Sequence, residues 1–284
     1  MNVICLFDPW KNKMCSCPQK YSLSAYTGCS HNCLYCYASS YIRNFFYPKA
    51  KKDFLIKLEK DIKKLPPSSY ITMANSSDPY IRLEEKLKLT RQALKILLNF
   101  DCKINLVTKS ALILRDIDII QKFKKIVVSI TITTLDEKLS KKLEPAASLP
   151  KDRLEVIKEL SKYINVVCRL DPLIYPLNTN QIKEIISQVK ECGAKQIITS
   201  TYKAKFDNLK RMCNAFSECK NLWHKLYLKE GQNFGTYFYL NKNLRKNLIE
   251  EVRLLALKNH LDFSSCREGF INLNTKNCDG SSFF

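Results

Sequence analysis

The sequence predicts an α/β fold in which parallel strands alternate with helices. Six short apolar segments with strand character lie between residues 20 and 220, and a helical segment with one apolar face follows each of them. Such alternation is typical of a parallel sheet with right-handed crossover connections. Six units are fewer than the eight of a closed (β/α)8 barrel. We therefore expect a partial (β/α)6, TIM-like barrel with a helical and irregular C-terminal extension.

The strand and helix predictions follow the hydrophobic pattern along the chain. The predicted strands cover residues 20–26, 70–74, 103–107, 126–132, 166–170 and 196–199. The predicted helices cover residues 54–65, 84–100, 112–123, 135–143, 151–163, 179–192 and 206–219. The first helix ends before Pro66 and Pro67, because proline lacks a backbone donor and clashes with the preceding turn.

We expect one domain with two appended segments. Residues 1–19 form a predicted irregular lead-in, and residues 20–220 form the partial barrel. Residues 221–284 form a C-terminal extension that contains a long amphipathic helix at 241–261. Because no linker separates this extension from the barrel, we expect it to pack on the same domain.

Composition limits the class of protein. No apolar run reaches the roughly 18 residues of a membrane span, and no signal peptide is recognised, so we expect a cytoplasmic protein. Thirteen cysteines in that compartment indicate thiols and metal ligands rather than disulfides. The net charge of +20 favours a polyanionic partner only moderately, because the lysines are spread along the whole chain.

Three closely spaced cysteines mark the predicted functional centre. Cys29, Cys33 and Cys36 stand at C-x3-C-x2-C spacing in the segment YTGCSHNCLYCYA. Three thiolates can each bind one iron of a [4Fe–4S] cluster and leave the fourth iron open, as in a catalytic metal site. The alternative is a zinc site with His31 as the fourth ligand. A histidine two residues from both Cys29 and Cys33 gives poor tetrahedral geometry.

This motif resembles the signature of the radical S-adenosylmethionine (SAM) superfamily, with Tyr35 at its aromatic position. Further segments resemble the spore-photoproduct-lyase-like branch, and together they cover most of residues 20–172. They read SSDPY followed by LTRQALKILL, VTKSALILRDIDII, SITITTLDEKL and LEP. The resemblance implies a partial barrel of the radical SAM type with a [4Fe–4S] cluster on the three cysteines. It also implies reductive cleavage of SAM to a 5′-deoxyadenosyl radical that abstracts hydrogen from a substrate.

The resemblance further implies which residues contact SAM. They stand on the cluster loop and at or near the predicted strand ends, where active sites of such folds lie. A lysine ammonium suits the methionine carboxylate, and serine hydroxyls suit the ribose or carboxylate. Arg169 is predicted to bind SAM or an anionic substrate. A turn or capping role for Ser76 is an equal alternative. The predicted cofactor-binding residues are Tyr35, Ser76, Asp78, Lys109, Ser129 and Arg169.

Two features depart from the family pattern. ANSSDPY replaces the usual glycine-rich phrase after the second strand, and no cysteine lies between Cys36 and Cys102. The photoproduct lyase uses a cysteine of that region to return a hydrogen atom to its product radical. Asn75 stands about where that thiol would be. Dimer cleavage by the same mechanism is therefore not expected.

Two cysteines of the tail form a candidate auxiliary site. Cys266 and Cys278 invite a second cluster or metal, with Cys15 and Cys17 as further ligands. The alternative is that these are structural thiols, since free cysteines commonly behave as small buried hydrophobes.

The predicted partners are SAM, an electron donor such as a ferredoxin or flavodoxin, and a nucleic acid (DNA or RNA) as a candidate substrate. Arg169 and Arg211 are the candidate phosphate ligands. One alternative function is an iron–sulfur electron-transfer protein without SAM turnover, which has no need of polar residues at the strand ends. Another is a zinc-dependent nucleic-acid-binding module, which does not explain the alternation of strands and helices.

Overall fold

An eight-stranded sheet organises the chain in a computed structural model that describes residues 2–7, 14–73 and 76–284. In chain order the strands are β1 (Ile4–Phe7), β2 (Lys20–Leu23), β3 (Tyr26–Thr27), β4 (Lys49–Ala50), β5 (Ser69–Met73), β6 (Cys102–Thr108), β7 (Ile126–Thr131), β8 (Asn165–Leu173), β9 (Gln196–Thr201), β10 (Gln232–Phe234), β11 (Tyr237–Tyr239) and β12 (Asp262–Ser265). Across the large sheet the order is β1-β2-β5-β6-β7-β8-β9-β12. β1 is antiparallel to β2, and each following pair of neighbours is parallel.

Helices connect these strands and cover one face of the sheet. They are α1 (Phe54–Ile62), α2 (Arg82–Leu87), α3 (Leu89–Leu97), α4 (Ile117–Ile120), α5 (Glu137–Leu143), α6 (Pro150–Leu160), α7 (Ile182–Glu191), α8 (Phe206–Ala215), α9 (Lys220–Trp223) and α10 (Lys242–Lys258). Short 3-10 segments lie at Ala38–Ser40, Ala111–Asp116, Thr179–Gln181, Ser217–Cys219, Ile271–Leu273 and Ser281–Phe283, and a π-helical segment lies at His224–Lys229. No helix in the described part of the chain is both long and apolar enough to cross a membrane.

The six predicted strands are all present, within a few residues of their predicted bounds; residue 74 of the second lies outside the described ranges. Two predicted helices differ most from the structure, and the helices predicted at 179–192 and 206–219 each include a short 3-10 segment at one end. The helix predicted at 84–100 is two helices, because Lys88 between them adopts a left-handed conformation with φ +52°. The helix predicted at 112–123 is a 3-10 segment followed by the single turn of α4, and Ser110 caps its start by accepting from Leu112 N–H.

Both edges of the sheet come from segments predicted to lie outside the barrel. β1 falls within the lead-in predicted to be irregular, and β12 falls within the C-terminal extension. The start of β1 is held by a distant carboxylate, since Asp61 Oδ2 accepts from the backbone N–H of Val3 at 2.7 Å and of Ile4 at 3.2 Å. β12 is the polar segment DFSS, which pairs with β9. The strand content of both segments depends on long-range partners.

The face of the sheet opposite the helices is filled at one end by the C-terminal tail. Val127, Val167 and Ile198 lie near the beginnings of three adjacent strands and form a small apolar cluster with Phe283 and Phe284. Asn165 Nδ2 donates to the Phe283 carbonyl at 3.2 Å. We call Phe283 and Phe284 the C-terminal plug. Because this plug closes the end of the sheet where the strands begin, open space on this face lies toward the carboxyl ends of the strands.

Candidate active site

The loop that carries the three cysteines leaves β3 through a glycine that no other residue can replace without strain. Gly28 has φ +85°, and a Cβ placed there would lie 2.4 Å from the Phe45 carbonyl oxygen. The following residue, Cys29, donates its N–H to that same oxygen at 2.7 Å. The close approach of the two backbones therefore fixes the position of Cys29, the first cysteine of the loop.

Helix α8 holds the other end of this loop. Arg211 donates through Nη2 to the Cys36 carbonyl at 2.9 Å and through Nε to the Leu34 carbonyl at 3.2 Å. Asn208 Nδ2 donates to the Tyr35 carbonyl at 3.0 Å. Arg211, a candidate phosphate ligand in the sequence, therefore directs its guanidinium to the cluster loop instead. Its role in the structure is to position the loop.

His31 is held away from the metal-ligand role considered for it. Its Nδ1 lies 3.1 Å from the carbonyl oxygen of Ala146, and its Nε2 lies 3.2 Å from Asp78 Oδ2. Because a carbonyl only accepts, Nδ1 carries the proton of that contact. Both ring nitrogens therefore lie close to oxygen atoms, and the structure gives no support to a zinc site in which His31 joins the cysteines.

Asp78 ties this histidine to the ends of the strands. It accepts from Thr108 Oγ1 at 2.7 Å, from Tyr80 N–H at 2.8 Å and from Lys109 N–H at 2.8 Å. Burial alone raises the pKa of Asp78, but the charge of His31 and these hydrogen bonds outweigh it, so that the pKa lies below its usual value. Asp78, which is predicted to contact SAM, therefore links His31 of the cluster loop to the end of β6.

The surroundings of the three thiols suit the ligands of a [4Fe–4S] cluster. Cys29 and Cys33 are buried and Cys36 is half-buried. The backbone N–H groups of His31 and Asp78 bond to the Cys29 thiol, and those of Ala38 and Ser39 bond to the Cys36 thiol. Hydrogen bonds of this kind to ligand sulfurs help set the properties of iron–sulfur clusters.

Burial raises the pKa of all three thiols, to about 12 for Cys29. The ammonium of Lys109 counteracts this rise at Cys33 and Cys36. Because metal ligands must be thiolates, a nearby cation together with amide donors is the environment that such ligands need.

A cavity of about 510 Å³ opens beside the loop, at the carboxyl ends of the strands. Four of the six predicted cofactor-binding residues line it: Tyr35, Ser76, Lys109 and Arg169. Ser129 lies one layer deeper, fully buried beneath Thr131, with its Oγ 3.5 Å from Asn105 Oδ1. Asn75, which stands in the sequence about where the photoproduct lyase has its cysteine, lies outside the described residues.

A buried carboxylate that sequence reasoning missed organises the cavity wall. Glu144 accepts from the hydroxyl of Tyr35 and, at 2.7 Å, from Thr133 Oγ1, and it forms an ion pair with Arg153. Burial opposes its charge, but Arg153 and Lys109 hold the pKa of Glu144 down to about 2. The LEP segment contained this residue, yet nothing local showed that Glu144 would point at the aromatic residue of the cluster loop.

Lys109 completes this arrangement. Its Nζ lies 5.8 Å from the centroid of the Tyr35 ring. Burial lowers the pKa of Lys109, but the charges of Cys33 and Glu144 raise it above its usual value. The side chain therefore stays a cation on the cavity wall.

The opposite wall carries further ion pairs. Arg169 Nη2 lies 2.6 Å from Asp171 Oδ2, and Lys203 Nζ lies 3.3 Å from Glu268 Oε1. Lys203 and Glu268 were not singled out in the sequence. Lys203 follows β9 by two residues, which is the one local signal that could have found it.

Comparison with known proteins identifies the family. The model of the radical SAM superfamily matches residues 23–189, more than half of the chain. The protein belongs to the radical SAM superfamily. An uncharacterized protein of Methanocaldococcus jannaschii is 32% identical over 237 residues, which are 82% of this chain and 84% of that one. An uncharacterized protein of Acidianus two-tailed virus is 26% identical over 195 residues, or 62% of each chain.

Solved radical SAM structures share the fold. A spore photoproduct lyase variant with bound AdoMet and dinucleoside spore photoproduct matches with a TM-score of 0.69 and 14% identity, over 86% of this chain and 75% of that one. Streptococcus suis SuiB bound to S-adenosylmethionine matches with a TM-score of 0.54 and 16% identity, over 86% and 49%. The predicted α/β fold of the radical SAM type is confirmed. Membership of the superfamily implies a [4Fe–4S] cluster and SAM as cofactors.

Proposed function

We propose that the protein is an enzyme that holds a [4Fe–4S] cluster on Cys29, Cys33 and Cys36 and binds SAM in the adjoining cavity. When bound, the cluster supplies the electron that cleaves SAM reductively, and the resulting 5′-deoxyadenosyl radical abstracts hydrogen from a substrate. One observation carries the proposal: Tyr35 and Cys36 of the cluster loop line the same cavity as Lys109 at the end of β6.

The chain's own residues have separate tasks in this proposal. Lys109 presents an ammonium suited to the carboxylate of SAM, and Ser76 presents a hydroxyl on the same cavity wall. Glu144 fixes the orientation of Tyr35 by accepting from its hydroxyl. Arg211 restrains the loop from behind, so that cofactor binding need not order it.

We further propose that the substrate is a nucleic acid. Five basic side chains and two acidic ones line the cavity, which favours an anionic ligand: Lys20, Lys109, Arg169, Lys203 and Arg267 against Asp171 and Asp279. Tyr35, Tyr37 and Tyr41 also line the cavity, and aromatic side chains are the groups on which bases stack. The dinucleoside lesion bound by the structurally similar spore photoproduct lyase supports this assignment.

Anaerobic reconstitution with iron and sulfide, reduction, and mass spectrometry for 5′-deoxyadenosine and methionine test the reaction. We expect the intact protein to hold about four irons and to form both products. Alanine at Cys29, Cys33 or Cys36 abolishes both readouts, because two thiolates cannot hold the cluster. Cys5→Ala, a change at an exposed thiol, is the matched control. A cluster that is reduced and reoxidised without any deoxyadenosine would instead support an electron-transfer protein.

Salt-dependent binding tests the substrate class. Filter binding of duplex DNA, single-stranded DNA and tRNA across a salt series should give affinities that fall steeply with salt, by about 0.9 log units per log unit of salt for each phosphate contact on duplex DNA. Arg169→Ala should reduce that slope by about one unit and leave the iron content unchanged. Dissociation constants weaker than roughly 10⁻⁴ M for all three ligands at physiological salt would exclude a nucleic-acid substrate.

A further inference from the structure

Four thiols that are far apart in the sequence meet at the cavity. Cys15 and Cys17 precede β2, Cys266 directly follows β12, and Cys278 lies in the C-terminal tail. All four line the cavity. The Sγ atoms of Cys17 and Cys278 are 3.6 Å apart. The charges of Cys15 and Cys266 act on this central pair. The four side chains therefore form a group of thiols around the central pair.

The surroundings of these thiols differ from those of cysteines that serve as core residues. Cys102, Cys168 and Cys213 are buried within the main apolar core. By contrast, Cys17 lies beside the ammonium of Lys20, and the positive charge of Arg169 acts on the thiol of Cys266. Sulfur atoms that face one another and are flanked by cations are poorly explained by apolar packing.

We propose that Cys15, Cys17, Cys266 and Cys278 form a second metal centre that binds one Zn²⁺ ion. Four thiolates around a tetrahedral zinc at about 2.3 Å stand about 3.8 Å from one another, close to the separation of the central pair. The thiolates of an iron–sulfur cube each bind a different iron and stand farther apart. Four thiolates and Zn²⁺ carry two net negative charges, which Lys20 and Arg169 offset in part, because each of these cations also pairs with an aspartate.

The thiols must close in to complete the coordination. In the part of the chain that the structure describes, no three potential ligands already enclose a metal position. Cys15 and Cys266 act electrostatically on one another. Both side chains must move toward the central pair for a four-ligand site to form.

Such a centre would link the segment before β2 to the C-terminal tail. Cys17 and Cys278 are 261 positions apart, and the ion pair of Lys20 with Asp279, at 2.6 Å, lies next to them. With four protein ligands the ion has no open position, which is typical of a structural site. The zinc would therefore shape the cavity wall and take no part in electron transfer.

Metal analysis of the anaerobically purified protein tests this proposal. We expect about one zinc per chain in addition to the cluster iron. Cys17→Ser and Cys278→Ser should lose the zinc and keep the iron, whereas Cys5→Ser should keep both. Retention of the iron–sulfur absorption shows that the variants still fold. The proposal is overturned if the zinc content does not depend on Cys17 and Cys278. It is also overturned if these variants lose additional iron and sulfide, which would mean a second cluster.

A cobalt titration checks the ligands directly. In the protein with alanine at Cys29, Cys33 and Cys36, Co²⁺ should give the thiolate charge-transfer and tetrahedral ligand-field bands of a four-sulfur site at about one equivalent. The bands should disappear when Cys17 is also changed to serine. Octahedral Co²⁺ spectra in both proteins would overturn the proposal.

Discussion

Lys109 stands one residue past the end of β6, with its ammonium on the cavity wall beside the ring of Tyr35. Its neighbours are the thiol of Cys33 and the carboxylate of Glu144, both of which favour its charged form. A cation kept charged on a cavity wall can bind an anionic group of a ligand directly. This position supports the proposal that Lys109 binds the cofactor.

Lys109→Ala should weaken SAM binding by about 1.5–3 kcal/mol, roughly 10- to 150-fold, because one charge-assisted hydrogen bond is lost. Iron content should stay unchanged, since no thiolate is removed. Anaerobic equilibrium dialysis measures the affinity. Lys103→Ala, at the other end of the same strand, is the control and should bind SAM normally. Equal affinities in both variants at low salt would show that Lys109 does not bind SAM.

Glu144 is the residue whose loss should most affect stability near the site. Its side chain and that of Arg153 are both almost completely buried, and breaking such a pair typically costs about 3–5 kcal/mol. We expect Glu144→Gln to lower the free energy of unfolding by that amount in urea titrations. The exposed pair of Glu137 with Lys151 gives the control, because Glu137→Gln should cost less than about 1 kcal/mol.

The same carboxylate makes stability depend on pH. The pKa of Glu144 is about 2 in the folded protein, below its ordinary value of 4.5. The carboxylate therefore stabilises the fold fully above pH 4.5, and this contribution is lost as the pH falls toward 2. The stability difference between the wild type and Glu144→Gln should narrow by about 1 kcal/mol between pH 6 and pH 4. A constant difference over that range would contradict the assignment.

At the scale of elements, helix α8 and the cluster loop act as a pair. Arg211 and Asn208 lie one turn apart on α8 and bond to three successive carbonyls of the loop, at Leu34, Tyr35 and Cys36. The cysteines of the loop are therefore held by a helix some 170 residues later in the chain. The loop keeps its shape through tertiary contacts because its own sequence forms little regular structure.

Arg211→Ala should release iron faster when the loaded protein is challenged with a chelator. Loss of its hydrogen bonds to the loop costs about 1.5–3 kcal/mol, which corresponds to an increase of roughly tenfold or more in loop opening. The rate of iron release is followed by absorbance. Lys210→Ala changes the exposed neighbour on the same helix and should leave the rate unaltered. An unchanged rate of iron release for Arg211→Ala would show that Arg211 does not restrain the cluster loop.

At the scale of the whole molecule, the two ends of the described chain complete the barrel. β1 and β12 form the sheet edges, and the tail fills the end where the strands begin. Phe284 packs edge-on against Tyr70, with their ring centroids 5.1 Å apart. The C-terminal extension is therefore part of the barrel's interior as well as an addition to its surface.

Deletion of Phe283 and Phe284 should lower the free energy of unfolding by about 1.5–3 kcal/mol, because two half-buried aromatic side chains leave the cluster around Val127. Urea unfolding measured by the fluorescence of the buried Trp223 gives the value. Ile271→Ala, which changes an exposed apolar residue of the same extension, should stay within about 0.5 kcal/mol of the wild type. Equal stability of the deletion variant and the wild type would mean that Phe283 and Phe284 contribute nothing to the free energy of unfolding.

The sequence determined the features that depend on local pattern. The six central strands are apolar runs, so their positions could be predicted without knowledge of their neighbours. The spacing of Cys29, Cys33 and Cys36 fixed the cluster loop, and the place of Lys109 just past an apolar strand put it at the cavity. Each of these signals lies within about ten residues.

Tertiary structure alone decided which distant groups serve the site. Glu144 meets Tyr35 across 109 positions, His31 meets Ala146 across 115, and Cys17 meets Cys278 across 261. β1 is too short to show a period, and β12 is both short and polar. Both strands exist because neighbouring strands pair with their backbones, and Asp61 also binds the backbone of β1. Hydrophobic periodicity records which face of an element is buried but not which partner buries it. The residues proposed to carry the chemistry could therefore be named from the sequence, whereas those that hold them in place could not.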